Sequence, residues 1–185
     1  MKDPAQQRSE VLEQLNDIVV ILEESMDVRL IPAQGANIAY AINGARDKNG
    51  VAAIPGGIVS AGAVARASGS CAFGADESIA RIVLTAMKFD PVIRSAAVLH
   101  YSPRAISVME DMFLECRSFD PGGEPPGIST MDWGVASCCR DGVPDVIFDR
   151  GTRDNEPRIR LFGEDSLDVS NNIIMLSNRI IHIEL

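Results

Sequence analysis

Short aliphatic segments of strand type alternate along this chain with amphipathic helical stretches, a pattern that restricts it to layered α/β architectures. Ile38, Tyr40 and Ile42 alternate along one strand, and Val51–Ile54 reads as a second, buried one. Ile58 and Val59 begin another short apolar segment after the turn at Pro55-Gly56-Gly57. Further strands are expected over Arg94–Tyr101, Glu115–Asp120, Pro144–Asp149 and Arg158–Gly163. Between them, helical spacing is expected over Arg8–Ser25, Ile79–Lys88, Pro103–Leu114, Trp133–Cys139 and Ser166–Arg179. Asp76 is placed to cap the second of these helices, and Phe89-Asp90-Pro91 to end it. The order favours a mixed sheet between helices. The breaker-rich run Pro121–Gly127 is expected to carry no regular structure.

A chain of 185 residues supports one domain with a sizeable core and leaves little room for a second. Residues 1–27 read as an N-terminal helix that either packs on the domain or connects and pairs it with something else. Residues 28–185 read as the domain proper. With 26 acidic against 17 basic residues and a formal charge of −9, the surface repels phosphodiester backbones and anionic membranes. No stretch approaches 18 consecutive apolar residues and the first ten residues are polar, so a cytoplasmic location is expected.

Cys71, Cys116, Cys138 and Cys139 have neither C-x-x-C spacing nor an arrangement suited to a disulfide framework, and read as reduced thiols. His100 and His182 stand far apart without neighbouring Cys or His, which argues against a zinc site. Phosphate loops of the Walker and dinucleotide types and the hydrolase elbow are absent. Three sets of residues remain as candidates for ligand chemistry. The glycines Gly35, Gly56 and Gly57 can bring backbone amides close to a ligand. Arg81 and Lys88, seven residues apart on one helix, can face the same way toward an anion or form a solvated stripe. The carboxylates Asp145 and Asp149, with Glu156 close behind, can either hold Mg²⁺ with a phosphorylated ligand or cap loops.

Several stretches taken together resemble the ThiN family, the archaeal domain that joins a phosphorylated pyrimidine to a phosphorylated thiazole. They are Gly35-x-Asn37-Ile38-x-Tyr40-Ala41, Val51 to Gly56, Phe73-Gly74-Ala75, Ala80 to Pro91 with its LTAMKFDP run, Trp133-Gly134, Pro144 to Asp149, and Glu156-Pro157-x-Ile159-Arg160. The resemblance implies a three-layer α/β/α fold with a central mixed sheet, similar to class II aldolases, a pocket for thiamine phosphate or its precursors, and often a homodimer. Asn37 joins the candidate phosphate contacts on this basis, with Gly35, Gly56, Gly57, Arg81 and Lys88, while Asp145, Asp149 and Glu156 are candidates for ring recognition or metal.

Two positions depart from the family pattern: Gly57 stands where active members carry arginine, and Ser78 where they carry histidine. Neither replacement supplies the charge or proton that pyrophosphate release calls for. Asp154-Asn155 likewise replaces a family Gly-Lys before Glu156. The expectation is a catalytically inactive, ligand-sensing domain of a transcriptional regulator, with a DNA-binding domain upstream. The alternative is a thiamine-phosphate synthase working with other residues, and a third reading is a structural dimerisation module with a vestigial pocket.

Overall fold

The computed structural model describes residues 2–127, 130–183 and 185. Five helices, α1 (Pro4–Ser25), α2 (Glu77–Phe89), α3 (Pro103–Asp111), α4 (Trp133–Cys138) and α5 (Ser166–Ile180), alternate with nine strands. The strands are β1 (Asn37–Ala41), β2 (Val51–Ala53), β3 (Ile58–Ala61), β4 (Val64–Ala67), β5 (Ala72–Phe73), β6 (Ser95–His100), β7 (Cys116–Ser118), β8 (Val146–Phe148) and β9 (Arg158–Gly163). Seven of them form one sheet in the order β5-β2-β1-β6-β9-β8-β7, while β3 and β4 pair separately as a hairpin. Within the large sheet only β7 and β8 run parallel, so the sheet is mixed as the sequence pattern implies.

The period-two alternation of the central strands sends side chains to two different cores. Ile38 and Tyr40 of β1, Leu99 of β6 and Ile159 and Leu161 of β9 pack with α1, α3 and α5. On the other face Ala39, Ala41, Ala53 and Ala96 offer a low surface to α2, whose Ile79, Ala80, Val83 and Ala86 are buried there together with Val135 of α4. Helices thus cover both faces, giving the three-layer α/β/α arrangement. Helix α1 is part of this architecture: Leu15 and Leu22 are fully buried in the core that it shares with α5.

Local chemistry explains the element ends. Asp76 caps α2 by accepting from the N–H groups of Ser78 and Ile79 at 2.9 and 3.2 Å. Helix α3 stops at Asp111, short of Leu114, because Phe113 adopts φ 63°. Its N–H donates to the Glu110 carbonyl and that of Leu114 to the Met109 carbonyl, which closes the helix end in the Schellman pattern. The breaker-rich loop is not wholly irregular, since Pro121–Gly123 forms a single 3-10 turn with the Asp120 carboxylate accepting from the Gly122 N–H.

Candidate functional site

A cavity of about 540 Å³ opens where the C-terminal end of β8, the start of β9 and the N-termini of α2 and α4 meet. Asp149 enters it from just beyond β8, Arg158 and Arg160 from β9, Ser78 and Arg81 from α2, and Asp132, Trp133 and Gly134 from the start of α4. Phe119, Pro121, Glu124 and Gly127 close one side, and Asn155 and Glu156 another. Such a volume falls within the range typical of small-molecule sites.

The charged groups are held by specific partners. Arg160 is buried and donates from Nη1 to Asp149 Oδ2 at 2.6 Å, while Asp149 Oδ1 accepts from the Gly151 N–H at 2.7 Å. The Arg160 guanidinium also lies 5.0 Å from the centre of the Phe119 ring, within reach of a cation–π contact. Phe119 meets Trp133 edge-on, with ring centres 6.0 Å apart. A Cβ at Gly134 would overlap the Phe119 ring, so only glycine allows this approach. Asp132 caps α4 through Val135 N–H at 2.9 Å, and its own N–H donates to Thr85 Oγ1 of α2. The two helices that bound the cavity are therefore tied directly to each other. Glu156 accepts from the Ala33 and Gln34 N–H groups at 3.2 and 3.4 Å and lies 3.5 Å from His100 Nδ1. The lining therefore combines arginines, carboxylates already engaged with neighbours, and an aromatic wall.

Of the residues that the sequence marks, Ser78, Arg81, Asp149 and Glu156 come together in this cavity. The others lie elsewhere. Lys88 is exposed about 10 Å further along α2 than Arg81, so the cavity takes in only one of the two cations. Asp145 and Asp149 flank opposite ends of β8, roughly 13 Å apart by strand rise, and cannot share one cation. Asp145 instead accepts from the Glu115 N–H at 2.8 Å. Among the described residues no group of three or more Asp, Glu, His or Cys side chains is arranged to hold a metal ion. The donor set thus does not fit a protein-built Mg²⁺ site.

Asn37 is a structural bracket. Its Nδ2 donates to the Ile54 carbonyl and to Asp76 Oδ2, both at 2.9 Å, while its Oδ1 accepts from the Ile38 and Ile54 N–H groups. These four bonds use the full capacity of the side-chain amide. The amides of Gly35 and Gly57 are likewise committed, to the carbonyls of Pro32 and Ile54. Gly57 adopts φ 70°, a Cβ there would overlap the Ala36 carbonyl oxygen, and the residue lies outside the cavity lining. Gly56, at φ 75°, belongs to the same turn.

Arg158 and Arg160 carry no motif that marks them as ligand contacts, but the strand pattern holds a signal. Arg158, Arg160 and Phe162 share one face of a strand that is buried on both sides, and charged residues seldom occupy such positions without a partner. Trp133, the only tryptophan, was legible as a helix opener but not as a wall.

The fold and the cavity define an aldolase-like α/β domain with an arginine-bearing, aromatic-walled site at one end of its sheet. A sugar-phosphate aldolase from Thermotoga maritima shares this fold at a TM-score of 0.53 over 96% of this chain and 97% of its own, at 11% identity. The chain belongs to the ThiN family, whose model, described as thiamine-phosphate synthase ThiN, matches residues 14–175. It is 38% identical over 170 residues, 90% of its length, to the bifunctional thiamine biosynthesis protein ThiDN of Methanocaldococcus jannaschii, and spans 40% of that protein. It is 32% identical over 154 residues to the thiamine-phosphate synthase ThiN of Methanothermobacter thermautotrophicus, covering 80% of this chain and 81% of that one. The crystal structure of the C-terminal domain of protein MJ0236 superposes with a TM-score of 0.88 at 35% identity, covering 96% of this chain and 98% of that domain. No helix among the described residues is long and apolar enough to cross a membrane.

Proposed function

We propose that this chain is a thiamine-phosphate synthase domain, joining hydroxymethylpyrimidine diphosphate to thiazole phosphate and releasing pyrophosphate. The observation that carries this reading is the extended similarity to relatives named for thiamine biosynthesis and for that synthase, across most of the chain. In the reaction the carbon–oxygen bond between the pyrimidine methylene and the diphosphate breaks, and its electron pair leaves with pyrophosphate. The thiazole nitrogen supplies the pair for the new carbon–nitrogen bond and becomes quaternary.

The cavity offers a counterpart for each change in charge. Arg81, Arg158 and Arg160 stand where they can stabilise anionic phosphoryl groups, and the Trp133 ring suits a flat ring acquiring positive charge. The sensing alternative rests on Gly57 and Ser78. Ser78 and Asn155, the latter standing where the family carries lysine, belong to the cavity wall, while Gly57 lies outside it.

The test is a turnover assay on the two phosphorylated precursors, with Mg²⁺ supplied as counter-ion of the diphosphate and thiamine phosphate quantified by its fluorescent oxidation product. Sustained turnover is expected, falling on the order of 10²–10³-fold in Arg158→Ala, the loss typical of removing one preorganised donor. Tight calorimetric binding of thiamine phosphate without turnover would overturn this reading in favour of a sensor.

A further inference from the structure

Arg160 is only 8% exposed, and among the described residues its hydrogen bonds all come from Nη1. Nη1 donates to Asp149 at 2.6 Å and to the Arg158 carbonyl at 3.4 Å. Nε is buried and has no hydrogen-bond partner among the described residues. A buried donor left unmade is costly, and a native protein keeps one where something else completes it. The Nε and Nη2 edge of a guanidinium is a planar fork matched to two oxygens of a phosphoryl group. Asp149, 5% exposed, does not fill that edge: one of its oxygens accepts from Nη1 and the other from the Gly151 N–H.

We infer that the unused edge of Arg160 seats an anionic phosphoryl group, and that Asp149 is its resident counter-charge rather than a contact to ring or metal. Asp149 keeps the buried guanidinium compensated while the cavity is empty and tempers the hold on the anion, so that pyrophosphate can leave. The inference rests on the cavity being the reaction site proposed above. It also fixes a sign. A carboxylate that held the ligand through a metal ion or a ring hydrogen bond would weaken binding when neutralised, whereas a counter-charge would strengthen it.

The experiment titrates the full chain with inorganic pyrophosphate at low ionic strength, by calorimetry and by Trp133 emission. Asp149→Asn is expected to tighten pyrophosphate binding roughly tenfold, an allosteric-scale coupling. Arg160→Met is expected to abolish it, and the double variant Asp149→Asn/Arg160→Met to behave like Arg160→Met. Equal or weaker binding by Asp149→Asn, or unchanged binding by Arg160→Met, overturns the inference. Should Asp149→Asn fail to fold with its arginine uncompensated, thermal unfolding decides: pyrophosphate must raise the midpoint of the wild-type protein but not that of Arg160→Met or the double variant, and an equal rise in all three overturns the inference. This pattern in a protein that shows no turnover would sink the synthase reading and leave the anion seat standing. Turnover without the pattern would do the reverse.

Discussion

Replacing Asn37 by alanine separates a structural bracket from a ligand contact. The substitution removes four hydrogen bonds at once and strands the N–H groups of Ile38 and Ile54, two residues that are fully buried. At about 1–3 kcal/mol for each buried donor left unmade, the loss comes to about 4 kcal/mol. That is a large part of the total stability of roughly 5–15 kcal/mol expected of a single domain. With a urea dependence of about 2–3 kcal/mol per molar, the unfolding midpoint should fall by roughly 1.3–2 M. Urea unfolding followed by circular dichroism reads this directly. Thiamine phosphate affinity, measured in buffer where the variant is still folded, should change little, because the side chain has no capacity left for a ligand. An unchanged midpoint together with lost affinity would refute the reasoning and make Asn37 a binding residue.

Three further outcomes follow from the same geometry. Gly134→Ala should push the Phe119 ring away from Trp133 and Arg160 at a cost of about 1–3 kcal/mol, seen as a lower melting temperature and altered tryptophan emission; a variant identical to wild type in both would show that the ring yields freely. Burial pushes the Cys71, Cys116 and Cys139 thiols up to about 11, so at mildly alkaline pH their thiolate fraction lies on the order of 100-fold below that of an unfolded chain. A disulfide reagent should therefore react slowly with the native protein and rapidly in denaturant, and equal rates would refute the assignment. The Arg29 guanidinium, hydrogen-bonded to Asp27, holds the Asp27 carboxyl below its ordinary value of 3.8. The native state thus binds this proton less readily than the unfolded one, so the contribution is present above pH 3.8 and is lost as pH falls through the lowered value. Asp27→Asn should lower stability at neutral pH and flatten its acid limb, and an unchanged acid limb would count against the pair.

What could be read from the sequence was mostly what is decided locally. The cap at Asp76, the stop at Asp90-Pro91 and the strand Arg158–Gly163 depend on residues within a few positions of each other, and all three stand in the fold. The β3–β4 hairpin is not legible beyond its first residues because its small and exposed side chains, from Val59 to Val64, carry no clean alternation. For the cavity, residue type was legible and direction was not. Arg81 and Lys88 share a helix, but the turns of α4 and β9 reach only the first of them. Asn37 is a candidate ligand contact through the family resemblance, and the sequence carries no sign of its hydrogen-bonding role in the fold. Its partners Ile54 and Asp76 lie 17 and 39 residues away, so the bracket emerges only once β1, β2 and α2 are assembled.

Helices α1 and α5, which share one core, also bear on the order in which that core can close. The apolar stripe of α1 leaves the ribosome before the rest of the domain, but part of its cover is Ile173, Leu176 and Ile180, the last fully buried side chains of that core. Arg29, just after α1, reaches the carbonyls of Ile180 and Ile183 at 2.7 and 2.6 Å and so latches the end of the final helix to the start of the domain. During synthesis the stripe remains only partly covered until nearly the whole domain has emerged, and this face of the sheet is the one on which a nascent chain is most exposed to wrong partners.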